Sequence, residues 1–378
     1  MSLVTETGRV PNDPALLDSL CLSLIPGIGP TIRRALVERF GSATAVLDAS
    51  VAELTEVPGV GMTTARAIAD GRQAIDARRR WQWCVDRGIR ILTIDMPTYP
   101  RLLREIHDPP NALFYRGELL PQDGLAIAIV GTRHASSYGT QQARQLAAMA
   151  ARSGLTVVSG LARGVDAAAH RGTLEAGGRT LAILPGGLEQ VYPTEHEGLA
   201  EEIAKQGAVI SESITTHAMV RGTFPRRNRI ITGLTVGTIV IEAGTRSGAL
   251  VSARLAMEQG REVFAMPGRV DSRNSHGCHR LLKDGATLIE TIDDVLEQLG
   301  PMVEATPRAD GTMIRHPAEL QINDQEQRVL NAIDTTPTLI DDVVVRSGLP
   351  IQRILATISV LERRRLVRKT SGSQVMRI

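Results

Sequence analysis

Apolar residues change their period twice along this chain. Up to about residue 85 they suit short helices separated by sharp glycine turns. From there to residue 300, short apolar runs alternate with helical stretches. Residues 301–318 show no apolar period and hold Pro301, Pro307 and Gly311 among scattered charges, the composition of a linker. Beyond it, helical spacing returns and gives way to two short runs that read as strands. We therefore expect domains over residues 1–85, 86–300 and 319–378, the last two joined by that linker.

In the first domain, Leu20-Cys21-Leu22-Ser23-Leu24-Ile25 leads into Pro26-Gly27-Ile28-Gly29-Pro30 and a helix over residues 31–40. A second copy runs from Leu54 through Pro58-Gly59-Val60-Gly61 into a helix from Met62 to about Asp70. Helix, Gly-x-Gly turn, helix resembles the helix-hairpin-helix motif. Its glycines bend the backbone sharply, and the following helix offers unpaired N–H groups to a phosphate. Two packed copies suit duplex contact without sequence preference. They suit an interaction bundle equally well, because neither turn carries a cation. Arg33 and Arg34 are nearest the first turn, Arg66 nearest the second. A charged helix over residues 78–87, holding Trp81 and Trp83, follows.

In the second domain an edge strand over residues 89–94 precedes buried strands over 125–130, 155–158, 180–184, 208–212, 238–242 and 262–265. Apolar strands alternating with helices predict an α/β fold, a Rossmann-like parallel sheet with helices on both faces. Ligands of such sheets sit at the carboxyl ends of the strands. Most of these strands end near a glycine, among them Gly131, Gly160 and Gly186, and a glycine lets a backbone approach phosphates closely. The first loop, Gly131-Thr132-Arg133-His134, is not a G-x-G-x-x-G fingerprint, and no Walker A sequence is present, so no nucleotide cofactor is expected. Arg133 projects from a strand end into the ligand crevice.

In the third domain, Asn323-Asp324-Gln325-Glu326 reads as a capping box opening a helix. A second helix covers residues 340–346. A third starts at Pro350 with Ile351, Ile354, Leu355, Ile358 and Leu361 at helical spacing. Two short strands flank Thr370-Ser371-Gly372-Ser373. Three helices and a terminal hairpin look like a winged helix. The outward face of its third helix offers mainly Gln352, Arg353 and Thr357, a thin set of base readers.

A hydrophobic fraction of 43% and a charged fraction of 22% are ordinary for a soluble globular protein. The net charge of +2 is small, so any basic surface must be local. Cys21, Cys84 and Cys278 form no C-x-x-C pair, which fits a reducing cytoplasm. The polar N-terminus and the lack of a long apolar run predict a cytoplasmic protein with no membrane contact. His276, Cys278 and His279 stand too close together for a tetrahedral zinc site, so no metal is expected. Asp166 and His170, one helical turn apart, suit either an acid/base pair or an i,i+4 contact. Ser159 lacks a nucleophile elbow. No catalytic set emerges.

The most telling stretch is Phe224-Pro225-Arg226-Arg227-Asn228-Arg229-Ile230-Ile231, in a chain only 3% aromatic. Guanidinium groups grip phosphates, and a phenylalanine offers its face to an unstacked base. That pairing suits single strands. It also stands in an ordered series: Gly131-Thr132-Arg133, then Ser159-Gly160-Leu161-Ala162-Arg163-Gly164 and Pro185-Gly186-Gly187. After the Phe-Pro-Arg-Arg-Asn segment come Ser247-Gly248-Ala249-Leu250 and Leu281-Leu282-Lys283-Asp284-Gly285. This series resembles the DNA-processing protein A family (DprA, also called Smf), which acts in natural transformation of bacteria.

The resemblance covers nearly the whole chain. It implies a SAM-like helix-hairpin-helix domain, an extended Rossmann-like domain and a winged helix. It further implies a homodimer that binds single-stranded DNA, protects incoming strands and loads the RecA recombinase, without catalysis or cofactor. Duplex DNA and the single-strand-binding protein are further candidate partners. Carried onto this chain, Arg133, Arg163, Arg221 and Lys283 would neutralise phosphates. Phe224 would contact a base, and Arg226, Arg227 and Asn228 would complete the pocket. Gly131, Gly160 and Gly186 would let the strand approach the backbone. Thr132 replaces the family's usual serine, and residues 215–221 replace its proline-rich approach to Phe224. Two other readings remain open: a nucleotide-processing enzyme using Pro185-Gly186-Gly187 and Glu242, and a duplex-binding repair scaffold.

Overall fold

Helices α1 (Pro14–Leu24), α2 (Pro30–Phe40), α3 (Ala43–Asp48), α4 (Val51–Thr55), α5 (Met62–Ala69), α6 (Gly71–Ala74) and α7 (Ala77–Val85) make up the first domain. The computed structural model describes residues 9–214, 223–299, 306–307, 313–314, 316–370 and 373–378. Both predicted glycine turns are present. Gly27 and Gly59 take φ of 87° and 85°, and α2 and α5 start after Gly29 and Gly61 without a side-chain cap.

The surroundings of the two turns differ. Asn111 Nδ2 donates to the Ile28 carbonyl at 3.2 Å, and Arg34 donates to the His107 carbonyl at 2.7 Å. Arg33 is buried and pairs with Asp95. The first turn thus docks on the sheet domain, with its nearest cations engaged there. The second turn is exposed, and Arg66 on its helix is exposed and makes no ion pair among the described residues.

The second domain continues with β1 (Arg90–Thr93), α8 (Arg101–Arg104), β2 (Ala112–Gly117), β3 (Ala126–Gly131), α9 (Ser137–Arg152), β4 (Thr156–Ser159), α10 (Val165–Glu175) and β5 (Thr180–Ile183). Then come α11 (Glu197–Gln206), β6 (Ala208–Ser211), α12 (Thr223–Gly233), β7 (Gly237–Ile241), α13 (Gly248–Glu258), β8 (Glu262–Ala265), α14 (His276–Lys283), β9 (Thr287–Leu288) and α15 (Ile292–Gln298). The nine strands lie in the order β1-β2-β6-β5-β4-β3-β7-β8-β9. The sheet is mixed rather than wholly parallel, because β2 pairs antiparallel with both β1 and β6. Sequence pattern missed β2, which follows Pro109-Pro110, and the two-residue β9.

The strands are apolar on both faces because helices cover both. Along β3, Ile127 and Ile129 enter one core cluster, while Ala126, Ala128 and Val130 enter the other. α9 presents Ala143, Leu146, Ala147 and Ala150 at helical spacing to the sheet. From β3 the parallel strands step outward to β6, then the chain crosses back to β7 on the other side of β3. The strand order therefore reverses between β3 and β7. That is the place where open α/β sheets bind ligands, at the carboxyl ends of the strands.

The stretch expected as a linker contributes β10 (Thr306–Pro307), β11 (Met313–Ile314) and a tight turn over Pro317–Gln321. Ile314 is buried in the core cluster of the sheet domain, and the buried Glu319 accepts from Arg377 at 2.8 Å. The winged helix follows: α16 (Asp324–Asn331), β12 (Thr338–Leu339), α17 (Ile340–Ser347), α18 (Ile351–Arg363), β13 (Val367–Lys369) and β14 (Gln374–Arg377). The predicted capping box is formed, with Asn323 and Glu326 each accepting the other's backbone N–H at 2.9 Å. No single helix among the described residues is long and apolar enough to cross a membrane.

The docked first turn makes a testable distinction. Arg33→Ala is expected to lower the unfolding free energy by about 1–3 kcal/mol, as loss of a buried charge-assisted hydrogen bond does. Arg66→Ala should leave it within about 0.5 kcal/mol. Denaturant titration of both variants checks this, and equal stability of the two would contradict the docking role of Arg33.

Candidate nucleic-acid interface

A cleft of about 760 Å³ opens at the strand-order reversal. The loop after β3 forms one wall, from Gly131 to His134. The first described turn of α12 supplies Phe224 and Pro225. α13 and α14 both begin at the cleft, at Ser247-Gly248 and His276. Their positive dipole ends face the cleft, although Ala249 N is capped by Ser247 Oγ at 3.3 Å and Gly277 N donates to the Ala243 carbonyl at 2.7 Å. Arg133, Arg246 and Arg273 are exposed around the opening and make no ion pair among the described residues.

Phe224 is the aromatic centre of this site. The Arg133 guanidinium lies over its ring, Cζ 4.4 Å from the centroid. Tyr192 meets it edge-on, with centroids 6.1 Å apart and planes at 66°. Arg133 and Phe224 thus share one corner of the cleft, and Tyr192 supports that ring from outside the lining.

The arginine run after Phe224 is divided by what each side chain packs against. Arg227 is buried, and its guanidinium donates to the Gly160 carbonyl at 2.6 Å and to the Ile183 carbonyl. Burial pulls its pKa down to about 10 against the opposing pull of Asp166. Burial raises the Asp166 carboxyl, and Arg227 is the largest influence holding it down. Arg229 is also buried and reaches Glu212 at 2.6 Å and Asp108 at 3.0 Å. Arg226 is the exposed member, paired with Glu212 at 3.3 Å. Asn228 lines the cleft and its Oδ1 accepts from Arg227 Nε at 3.2 Å.

The glycines expected to admit a strand face the protein itself. A Cβ on Gly131 would stand 1.9 Å from the Ile241 carbonyl, and one on Gly160 would stand 2.3 Å from the Arg227 guanidinium. Gly186 is buried, its carbonyl accepting from Ser211 Oγ at 2.7 Å. Gly131 still lines the cleft, whereas the space beside Gly160 is taken by Arg227 and Gly186 is buried. Arg163 lies outside the cleft lining, paired with Glu195. Lys283 is exposed at the far end of α14, about 10 Å along the axis from His276. Arg221 falls outside the described residues.

The other candidate constellations have structural partners. His170 is buried, and its Nδ1 donates to Thr180 Oγ1 at 2.7 Å, because that hydroxyl donates to the Val157 carbonyl. Its partner is therefore a neighbouring strand, not Asp166. Glu242 accepts from Ser136 N at 2.8 Å and from Ser136 Oγ, so its carboxylate sits at the N-terminus of α9. Cys278 turns into the core, while His276 and His279 each bond a backbone carbonyl. Tyr192, Arg246 and Arg273 are absent from the sequence-predicted site. The rule that selected Arg133, a cation just past a strand's carboxyl end, applies equally to Arg246 after β7 and Arg273 after β8.

Comparison with known proteins gives consistent likenesses. The family described as DNA recombination-mediator protein A matches residues 90–300. A SAM-like helix-hairpin-helix tandem matches residues 19–73, and a DprA winged helix domain matches 314–373. The chain is 32% identical to a Synechocystis protein named Smf, over 95% of this chain and 98% of that protein. It is 40% identical to the DNA processing protein DprA of Bacillus subtilis, over 57% of this chain and 72% of that one. The crystal structure of DNA processing protein A from Streptococcus pneumoniae superposes with a TM-score of 0.65 at 30% identity, covering 75% of this chain and 98% of that one.

Two outcomes test the buried groups. Arg227→Ala leaves Asp166 buried without its counter-charge and should cost about 3–5 kcal/mol, whereas exposed Arg133→Ala should cost under about 0.5 kcal/mol. His170, pushed down to about 3 by burial and the nearby cations, stays neutral in the fold while the unfolded chain protonates near its ordinary value of 6.5. Its contribution is complete above that value and fades as pH falls toward the folded value. Between pH 6 and 4, denaturation of the natural chain should steepen by up to about 1.4 kcal/mol per pH unit relative to His170→Gln. Parallel pH profiles would remove His170 as the source.

Proposed function

The chain belongs to the DNA recombination-mediator protein A family, and from that premise we propose that it binds single-stranded DNA in the cleft between β3 and β7. The carrying observation is the corner formed by Arg133, Phe224 and Tyr192 beside the starts of α13 and α14. Aromatic rings stack on unpaired bases regardless of sequence, and a duplex hides those faces. Arg133, Arg246 and Arg273, which make no ion pair among the described residues, supply the phosphate contacts. Arg163, Arg226 and Lys283 serve the strand where it enters and leaves.

In this reading the protein is a non-catalytic homodimer of the cytoplasm. It shields incoming strands during transformation and recombination and passes them to the RecA recombinase, with the single-strand-binding protein as a further partner. A nucleotide-processing role finds less support, since Ser136 already engages the Glu242 carboxylate. The outward face of α18 carries exposed Ile351 and Leu355 beside Gln352, which favours a protein contact over base reading by the winged helix.

Fluorescence anisotropy of single-stranded and duplex oligonucleotides of equal length, across a salt series, tests the proposal. The single strand should bind more tightly. Arg133→Ala should weaken it and flatten the salt slope by about 0.7. Phe224→Ala should cost about 1–3 kcal/mol. Duplex preference, or unchanged affinity in both variants, would move the function to the second hairpin turn and the winged helix. RecA filament assembly on coated single strands, with and without the protein, tests the hand-over.

A further inference from the structure

The rim of the sheet domain continues past the cleft toward α7. Tyr192, which meets Phe224, lies in the loop after β5. In that loop Glu189 pairs with Arg87, just past the end of α7, at 3.5 Å. Arg87 in turn lies over the Trp83 ring, Cζ 4.2 Å from the centroid. Tyr192 is three positions after Glu189, a span of at most about 11 Å. The Trp83–Arg87 pair and the aromatic corner of the cleft are therefore neighbours along one rim.

The composition of this surface is unusual for a solvated helix face. Trp83 is one of two tryptophans in the chain, and it is partly exposed where Trp81 is wholly buried. Arg79 and Arg80 stand four and three residues before it on the same side of α7, and Arg87 four residues after it, past the helix end. Arg79 and Arg80 are exposed and make no ion pair among the described residues. The nearby acids are engaged: Asp86 accepts from Gln82 at 2.7 Å, Asp76 caps α7 at 2.8 Å, and Glu195 pairs with Arg163. A guanidinium overlying an indole, flanked by free cations, is a surface on which bases stack while phosphates are neutralised.

We propose that α7 is a second contact for the same single strand, with bases beyond the cleft stacking on the Arg87–Trp83 pair and Arg79 and Arg80 meeting phosphates. The proposal rests on the cleft being a single-strand site. It assigns the first domain a part in holding single strands through its last helix, independent of the glycine turns.

Intrinsic tryptophan fluorescence and anisotropy, measured together on the full chain, test it. The probes are oligothymidylates of about 5 and about 20 nucleotides, within and beyond the reach of one small site. Both should bind, and only the longer should quench fluorescence. The quench should vanish in Trp83→Phe, where buried Trp81 remains as a silent reporter. Arg79→Ala with Arg80→Ala should weaken the longer strand several-fold, flatten its salt slope by about 1.4 for two lost phosphate contacts, and leave the shorter strand unchanged. A longer strand that binds without quenching, a quench that survives Trp83→Phe, or equal losses for both lengths overturns the second contact and leaves the cleft reading intact. Failure of both lengths to bind overturns both.

Discussion

The buried Arg227 guanidinium is the interaction on which the site depends. It joins the carbonyl ends of β4 and β5 at Gly160 and Ile183 and faces Asp166 on α10. One side chain thereby ties α12 to the carboxyl edge of the sheet. Phe224, three residues earlier, is carried into the cleft by that anchorage, and Asn228 is positioned by accepting from the same guanidinium. Such a buried charged group is weak evidence of stability in itself, because desolvation offsets the Coulomb gain. Its effect here is positional: it sets where the first described turn of α12 lies.

That arrangement explains what sequence could and could not reveal. The segment from Phe224 to Arg229 reads as a cluster of equivalent cations. On a helix Arg227 and Arg229 point about 160° apart with Arg226 between them, so phase alone does not sort them: Arg227 is buried against the ends of β4 and β5, Arg229 against Glu212 and Asp108, and Arg226 stays exposed. Sequence names the arginines, but tertiary packing decides which remain available. Gly160 carries the same lesson. It marks a close approach, as a glycine at a strand end should, yet the approaching group is Arg227 rather than a ligand.

Local signals were more faithful where local physics suffices. Both glycine turns, the Asn323–Glu326 capping box and the alternating strands from β3 to β8 appear as their patterns predict. Strand β2 was not legible, because Leu113-Phe114-Tyr115 is brief and follows two prolines. Pairing with β1 and β6 makes it a strand. The roles of the two glycine turns also escaped sequence. Their backbones are alike, and only the docking of the first on Asn111 separates them. The stretch between the second and third domains reads as unstructured by composition, yet Ile314 is buried against the sheet domain's core.

The Glu242 carboxylate at the start of α9 has a wider consequence. In many doubly wound sheets the helix after the first strand holds a ligand phosphate. Here a residue of the chain occupies that seat, held by Ser136 beneath the cleft. The start of α9 is therefore not free to seat a ligand phosphate. Attraction for a polyanion must come from shallow points spread along the rim. A ligand held that way gains affinity with each added unit and is released one unit at a time. Under the proposed function, such a grip would be polyvalent: firmer for long strands than for fragments, and open to stepwise replacement by a competitor advancing from one end.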